Sequence, residues 1–433
     1  MMGTHEPVEP SSSRPKLTQA QTSNPTRSGG KYVLIPLLLA LSAFGFYTTV
    51  ISMTTNGLVD VLHAVASGEQ SSLVGAPEPF KRVYTGIALL DGHLALLVGF
   101  FSPFVDGAVP GEATLFYFWA MAQFLASWTV VTLEGVRVGN RSGFSSWTAT
   151  FGILVQNLAW ATTLPVWLAV HLLTSPVAQL PKGDGNAARK ALSAYLWDMA
   201  LLPSAVMLGA IAPALLMSWP TLLGQSASAH YGWIAFWQFF PVWTAGLQWV
   251  LRMVCYNTVG SIKPKDDEGR PTSPGKGYMA AVGSVYRFAL TLLVGVHLPI
   301  LGLAVAPAAA HSYLGTKFSG YAGIFERGTF TNVFVSHPPS QPPTVIPTGY
   351  ASGDLSPLSM HFLQYNLYVA SIPFLLWAIY LHQITLKKSN VVGILKTVGF
   401  WTLVGGPTAA VVALLWERDE VVLEGEEFDK KTN

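Results

Sequence analysis

Residues 130–176, VVTLEGVRVGNRSGFSSWTATFGILVQNLAWATTLPVWLAVHLLTSP, place polar side chains inside a long apolar region. Glu134 and Arg137 end one apolar run, a polar turn follows, and Gln156 and Asn157 lie a third of the way into the next run. An ion at the centre of a membrane helix is unfavourable by about 2.5–3.5 kcal/mol. We therefore expect the rest of the chain to form a bundle that surrounds and shields these groups.

The composition indicates a membrane protein. Of the 433 residues, 51% are hydrophobic and only 11% are charged, whereas a soluble protein has roughly 25% charged residues. Apolar runs reach the length of about 20 residues that a helix needs to cross the hydrocarbon core. Nine such runs occur, at about 32–55, 84–105, 114–134, 147–173, 191–218, 231–254, 278–308, 360–386 and 391–416. The sequence predicts an all-α fold, a polytopic integral membrane bundle of about nine transmembrane helices.

The chain divides into three parts by composition. Residues 1–30 are rich in Ser, Thr, Pro and Gln without an apolar core, which predicts a disordered tail and not a signal peptide. Residues 31–417 are predicted to form one transmembrane helical domain. Its longest connection, 309–359, carries aromatic residues that we expect to pack over the mouth of the bundle. Residues 418–433 are predicted to be a charged C-terminal tail.

The loops differ in basic charge, which predicts the orientation. With nine crossings, thirteen Lys and Arg residues fall on the side of the N-terminal tail, and six fall in the loops of the other side. Cytosolic loops carry the excess of basic residues. We therefore predict a cytosolic N-terminus, a lumenal loop 309–359 and a lumenal C-terminus.

Charge and cysteine content exclude several functions. A net charge of +2 does not suggest nucleic acid as a partner, and a single cysteine, Cys255, excludes an internal disulfide and a Cys-based metal site. The aspartate-rich, magnesium-binding clusters of soluble terpene synthases and membrane prenyltransferases are missing, as are a Walker-type loop and an HExxH motif. We predict no metal and no organic cofactor.

Two carboxyl groups are the leading candidates for an acid within the bundle. Arg137 follows Glu134 by three residues and lies on the same helical face. Glu134 therefore either forms an ion pair that closes the helix, or acts as a proton donor whose acidity is adjusted by Arg137. Asp91 lies seven residues into its apolar run, where burial favours a neutral acid. Its alternative is an interhelical hydrogen bond. His93 is two residues away and faces elsewhere on a helix, so the two do not form a dyad.

Two further carboxyl groups and an aromatic strip complete the candidates. Asp106 precedes a glycine at the end of a run, where a turn is the alternative. Asp198 begins another run, where stabilisation by the helix dipole is the alternative. Within residues 231–243, Trp233, Trp237 and Phe240 share one helical face. Aromatic faces stabilise a cation by up to about 2 kcal/mol where water is excluded, and ordinary packing is the alternative.

The chain resembles a family of fungal multi-pass proteins across most of residues 84–255. This family contains the membrane-bound terpene cyclases of meroterpenoid pathways, of the ascofuranone and macrophorin types. The strings that carry the resemblance are LEGVRVGNR (133–141), LVQNLAWATTLPVWLAVHLLTSP (154–176), LLPSAVMLGAIAPALL (201–216) and WQFFPVWTAGLQWV (237–250).

The resemblance implies a metal-independent cyclisation of the isomerase or lyase type. An acidic side chain would protonate an olefin or epoxide of a farnesyl chain on an aromatic or polyketide head group. Glu134 ranks first as this acid and Asp91 second, with Asp106 and Asp198 behind. Because Arg137 favours ionised Glu134, Asp91 is left open as the better donor. The predicted substrate-binding residues are Arg137, Asn140, Gln156, Asn157, Trp233, Trp237 and Phe240.

The partners implied are a lipid-soluble prenylated substrate and the bilayer from which it enters. A prenyltransferase and a monooxygenase of the same biosynthetic cluster would act alongside, and the endoplasmic reticulum is the expected compartment. The main alternative is a carrier or channel for a secondary metabolite or small solute, which fits the Pro-broken helices but not an odd number of spans without a repeat. A non-catalytic scaffold is the third interpretation.

Overall fold

The computed structural model describes residues 29–73, 79–105, 111–180, 185–260, 276–345, 355–386 and 391–423. Within these ranges the chain is helical and contains no β-strand, so the predicted all-α class is confirmed. Most of the predicted N-terminal tail, and Asp106, lie outside the described residues.

In the described ranges the structure contains twenty α-helices, of which eleven lie in the first half of the chain. A π-helical segment, Tyr47–Ile51, joins the first two helices, and another, Met207–Ile211, joins the last two. The helices are α1 Gly30–Phe46, α2 Ser52–Thr55, α3 Leu58–Ser67, α4 Ala88–Val105, α5 Gly111–Val136, α6 Thr148–Leu158, α7 Trp160–Thr174, α8 Gly185–Leu192, α9 Leu196–Ala200, α10 Leu202–Val206 and α11 Ala212–Ser218.

Nine α-helices follow in the second half. Three of them, α15–α17, span residues 308–334, which the sequence predicts as part of the loop 309–359. The helices are α12 Ala227–Trp237, α13 Phe240–Thr258, α14 Lys276–Ala304, α15 Ala308–Lys317, α16 Ala322–Arg327, α17 Phe330–Phe334, α18 Ser356–Leu386, α19 Val391–Gly405 and α20 Pro407–Leu423.

Helix α5 is the centre of the bundle. It is apolar and aromatic on all sides, a pattern typical of a helix buried from every direction, and nearly all of its side chains are buried. In the described ranges, five helices are long and apolar enough to cross a membrane: Gly30–Thr55, Ala88–Val105, Gly111–Val136, Ala280–Ala304 and Ser356–Leu386. A membrane bundle is thus supported, whereas the predicted count of nine spans is not.

The predicted span 147–173 is a re-entrant hairpin. Helix α6 ends at Leu158, Ala159 adopts a left-handed backbone with φ of 69°, and α7 runs back. The far end of α7 returns to the end of α5, where His171 Nε2 lies 3.7 Å from Glu134 Oε2. The prediction of one crossing here is wrong, because hydropathy counts apolar residues and does not register a reversal of direction.

The predicted span 391–416 is a second hairpin. Gly406, with φ of 82°, separates α19 from α20. Gln123, in the middle of α5, donates to the Gly405 carbonyl at 2.8 Å and accepts from the Thr408 amide at 3.1 Å. Helix α20 then returns along α5. These contacts place the tip of the hairpin deep in the bundle.

Both hairpins open toward the end of the bundle where α1 begins, which we call the basal end. Glu134, near the end of α5, lies at this end. Gly30, at the start of α1, lies beside Tyr380 of α18, since a Cβ on Gly30 would lie 3.3 Å from the Tyr380 ring. His382, also of α18, lies 3.1 Å from Glu417 of α20. The end of α20 therefore shares this end with the start of α1, against the prediction that the termini lie on opposite sides. Helix α20 continues to Leu423, past the predicted tail boundary at 418.

The opposite end, which we call the apical end, carries α3 and the helices α15–α17. The Val345 amide donates to the Asn56 carbonyl at 2.9 Å, and Arg327 forms an ion pair with Glu112 at the start of α5. Residues 308–334 therefore form short helices at this end, residues 335–345 follow without helix, and 346–354 lie outside the described residues.

Gly406 provides a test of the second hairpin. Its left-handed backbone disfavours any side chain, and a Cβ there would lie only 2.4 Å from Gln123 Nε2. We expect Gly406→Ala to lower stability by about 1–3 kcal/mol, measured as a lower midpoint of thermal aggregation in detergent. Gly399→Ala is the matched control, since a Cβ there meets nothing within 4 Å. Equal midpoints for the two variants would contradict the assigned hairpin.

Candidate functional site

A cavity of about 250 Å³ lies between α3, α4, α5, α12, α18 and the tip of the α6–α7 hairpin. Most of its lining is apolar. The aromatic residues of the lining are Phe100, Phe101, Phe124, Trp160, Trp237 and Phe362, and its polar residues are His63, His93, Gln156, Asn157, Gln238 and Asn366. Among the described residues that line the cavity there is no Asp, Glu, Lys or Arg.

The tip of the α6–α7 hairpin is fixed between α1 and α18. The Ala161 amide donates to Asn366 Oδ1 at 2.9 Å, and Ser42 donates to the Thr162 carbonyl at 2.7 Å. Gly45 allows the close approach, because a Cβ there would lie 2.5 Å from the Ala161 carbonyl. Since Ala159 is the one described non-glycine residue with positive φ, this contact network holds a strained turn at the cavity.

The hairpin tip places the carbonyl end of α6 and the amide end of α7 beside the cavity, without a charged side chain. The last four carbonyls of a helix lack partners within it and carry partial negative charge. Gln156 and Asn157 of this last turn line the cavity. Gln156 donates to the carbonyl and to Oε1 of Gln238, at 3.2 and 3.1 Å. This bridge joins the hairpin tip to the break between α12 and α13.

The aromatic walls are built from edge-to-face pairs. The ring centroids of Phe124 and Trp160 lie 5.1 Å apart at 86°, and those of Phe101 and Trp237 lie 5.2 Å apart at 67°. Such pairs fix the orientation of both rings. The rings therefore form a rigid surface around the cavity.

The predicted aromatic strip divides into two parts. Trp237 lines the cavity. Phe240 is fully buried and stacks on Trp237 at 5.1 Å, so it supports this wall from behind. Trp233 contacts Phe236 instead and is outside the lining. Trp233 and Trp237 belong to α12, whereas Phe240 begins α13 after the break at Gln238.

Glu134 and Arg137 belong to a buried ion cluster away from the cavity lining. Glu134 Oε1 accepts from Arg137 at 2.9 Å and from Arg418 at 2.8 Å. Asp419 accepts from Arg137 at 2.5 Å, from Arg418 at 2.9 Å and from Tyr286 at 2.7 Å. All four charged side chains are fully buried. Two carboxylates and two guanidinium groups thus compensate one another.

This cluster joins the ends of several helices. Arg137 also donates to the Leu192 carbonyl at 2.7 Å. The predicted binding residue Asn140 donates to the Glu134 carbonyl at 2.7 Å and accepts from Ser175 at 2.5 Å, which ties the end of α7 to the end of α5. The geometry favours the first interpretation of Glu134, an ion pair at a helix end, and assigns Arg137 and Asn140 contacts within the protein.

Asp91 fixes the start of α4. Its carboxylate accepts from the amides of Tyr84, Thr85 and Gly86 at 2.7–3.0 Å and from the Thr85 hydroxyl at 2.9 Å. Both oxygens are thus used by the segment that precedes the helix, and Asp91 is outside the cavity lining. His93 faces the other way, into the cavity, as the helical spacing predicts.

Asp198 holds three elements together. Its carboxylate pairs with Arg141 at 2.8 Å and Arg252 at 3.2 Å, and its carbonyl accepts from Gln248 at 2.7 Å. It is buried and lies outside the cavity lining. The structure therefore brings none of Glu134, Asp91 and Asp198 to the cavity. Within the described ranges, no group of three or more His, Cys, Asp and Glu residues could hold a metal ion.

Sequence reasoning missed four polar residues of the cavity: His63, His93, Gln238 and Asn366. The signal for His93 is present, because Leu96, Leu97 and Phe100 follow at helical spacing and line the same cavity. Asn366 has no such signal. Its position depends on the hairpin tip, which hydropathy does not reveal.

Comparison with known proteins agrees with the resemblance. Residues 34–423 match the CtvD domain family. The chain belongs to this family. The terpene cyclase ascI of Acremonium egyptiacum is 26% identical over 390 residues, which cover 87% of this chain and 89% of that one. The terpene cyclase ctvD of Aspergillus terreus is 24% identical over 389 residues, covering 88% and 98%. The terpene cyclase janA of Penicillium janthinellum is 30% identical over 210 residues, covering 48% and 55%.

These matches confirm the predicted resemblance to fungal terpene cyclases. No solved structure matches the chain.

The ion cluster predicts a large effect of one substitution. Glu134→Gln removes one carboxylate and leaves Arg137 and Arg418 with a single counter-charge, fully buried. Breaking a buried pair in this way destabilises a protein by about 3–5 kcal/mol. We expect a strongly reduced yield of monodisperse protein and a lower thermal midpoint in detergent.

Arg327→Ala is the control, because it breaks an ion pair whose guanidinium is 57% exposed, and exposed pairs contribute about 0–1 kcal/mol. A Glu134→Gln protein of normal stability that has lost all activity would contradict this assignment and return Glu134 to the role of acid.

Proposed function

We propose that this protein is a membrane-bound terpene cyclase that acts on a farnesylated meroterpenoid in fungal secondary metabolism. The observation that carries the proposal is the cavity, whose lining combines aromatic faces and neutral amides without any acidic or basic side chain other than histidine. The family and the names of its relatives support the same activity.

The lining favours protonation over diphosphate ionisation as the first step. A diphosphate requires cations around it, such as Lys, Arg or metal ions. The described lining offers neither basic side chains nor carboxylates. We therefore propose a metal-independent reaction in which a proton is added to a terminal olefin or to the oxygen of a terminal epoxide.

The same walls suit the cationic intermediates. Aromatic faces stabilise a cation by about 2 kcal/mol in a site without water, and Trp160, Trp237 and Phe124 provide such faces. The carbonyl end of α6 adds a fixed partial negative charge. The aromatic rings and the helix-end carbonyls are not strong nucleophiles. They therefore stabilise the cation without forming a covalent bond to it.

The reaction is an isomerisation in its atom balance. The added proton opens an epoxide or saturates a double bond, and neighbouring double bonds then attack the cation in turn. Each attack forms a ring bond and moves the positive charge along the chain. Loss of a proton from the last cation restores neutrality, so the product has the mass of the substrate.

A location in the endoplasmic reticulum, with the basal end toward the cytosol, completes the proposal. The basal end holds the basic residues Arg189 and Lys190 of α8, whose Leu192 carbonyl accepts from Arg137, and cytosolic segments are enriched in basic residues. The lipid-soluble substrate would enter from the bilayer. A prenyltransferase would attach its farnesyl chain, and a monooxygenase would form the epoxide where one is used.

A carrier or channel is the second candidate. The two hairpins favour it, because re-entrant helices and broken helices line the pathways of many channels and transporters. The rigid attachment of one tip through Asn366 and Ser42 fits a fixed cavity better than a moving gate. Uptake of labelled substrate into sealed vesicles measures this alternative directly.

The test uses microsomes from yeast that express the chain, supplied with a farnesylated phenol or its terminal epoxide. We expect a cyclised product of unchanged mass, identified by mass spectrometry and NMR, that is absent from control microsomes. In D₂O, deuterium bound to carbon marks protonation of an olefin, and its absence marks protonation of an epoxide oxygen.

Two tryptophans of α12 form a matched pair in this assay. Trp237 lines the cavity and Trp233 does not. We expect Trp237→Leu to lower the rate by about five- to thirtyfold, from the loss of about 1–2 kcal/mol of cation stabilisation. Trp233→Leu should stay within about threefold of the wild-type rate. Well-folded protein that cyclises neither substrate and accumulates them in vesicles would replace the cyclase by the carrier.

A further inference from the structure

Two histidines are the described side chains of the cavity lining that belong to a residue type used as acid or base. Histidine is the residue whose ordinary titration range includes physiological pH, and His63 and His93 both line the cavity. The carboxyl groups that the sequence suggests are held in contacts elsewhere: Glu134 in the ion cluster, Asp91 on the segment before α4 and Asp198 between two arginines. Among the described residues that line the cavity, a proton donor must therefore come from another residue type.

His93 is the better placed of the two histidines. Leu96, Leu97 and Phe100 follow it on the same face of α4 and line the same cavity, so its ring projects from an apolar wall. His93 is half-buried, whereas His63 on α3 is exposed. A proton on His93 is thus shielded from bulk water and directed at the substrate.

The start of α4 is held rigidly. The Asp91 carboxylate accepts hydrogen bonds from the backbone amides of Tyr84, Thr85 and Gly86 and from the Thr85 hydroxyl. These bonds fix the first turn of the helix two residues before His93. A catalytic group needs this kind of support, because misplacement by about 1 Å weakens proton transfer. Asp91 acts here as a positioning residue.

We propose that the imidazolium of His93 is the general acid that starts the cyclisation. This inference rests on the proposed function. The N–H bond of the ring breaks, and the proton adds to the terminal olefin carbon or to the epoxide oxygen as the C–O bond opens. Neutral imidazole remains. The final cation loses its proton to water at the mouth of the cavity, and solvent protonates His93 again, so no proton is consumed overall.

The test compares two variants of one size at position 93. His93→Gln and His93→Glu differ only in whether the side chain can carry a donated proton. We expect His93→Gln to lower kcat by about 10²–10⁴-fold, the usual contribution of a general acid, with KM within about threefold. His93→Glu should recover part of this loss. His337→Gln is the control, because His337 is exposed and lies outside the cavity lining, and it should keep kcat within about threefold. His63→Gln tests the other histidine of the cavity.

The outcomes separate this inference from the proposed function. Wild-type protein that cyclises nothing contradicts the proposed function. Active wild type with an equally active His93→Gln overturns the role of His93, and so does a large loss in His63→Gln alone. Equal inactivity of the Gln and Glu variants, with normal thermal midpoints, also overturns it, since a donor role requires the difference. If His93→Gln does not fold, His93→Asn and His93→Asp are compared instead. The inference then requires His93→Asp to be more active than His93→Asn.

Discussion

The bundle depends on the compensation of two carboxylates by two guanidinium groups in a fully buried site. Glu134 and Arg137 end α5, while Arg418 and Asp419 end α20. A charge there is tolerated only while its partners are present, because the desolvation of each ion is large. The ends of the two hairpins are drawn to this point, one through Asn140 and the other through Arg418, and their tips reach the middle of the bundle.

Half of this cluster could be predicted from the sequence. The spacing of Glu134 and Arg137 on one helical face indicates an ion pair, and the structure contains it. The other half could not, because Arg418 lies 284 residues away and sits where apolar residues give way to charged ones, a pattern typical of a solvated tail. The hairpins were missed for a related reason: a run of apolar residues has the same composition whether it crosses or turns back. Gly405 and Gly406 mark one reversal, but Ala159 marks the other without a glycine.

The character of the site was predictable and its acid was not. Aromatic and amide residues were expected around the reaction, and Trp237, Gln156 and Asn157 do line the cavity. The general rule that charged residues within a membrane are functional pointed to Glu134, Asp91 and Asp198, yet each has its partners within the protein. No histidine is among the predicted site residues, because the histidines are scattered along the chain. Only the packing of α3 and α4 brings His63 and His93 to one space.

The long separation in sequence between the two halves of the ion cluster sets the order of events during synthesis. Glu134 and Arg137 are translated first, and their partners Arg418 and Asp419 follow at least 281 residues later. Until then the first hairpin is tied to an incomplete cluster. The cluster therefore closes only after α20 has been synthesised. A ribosome that stops before α20 releases a chain that contains every residue of the cavity and lacks the contacts that hold it closed.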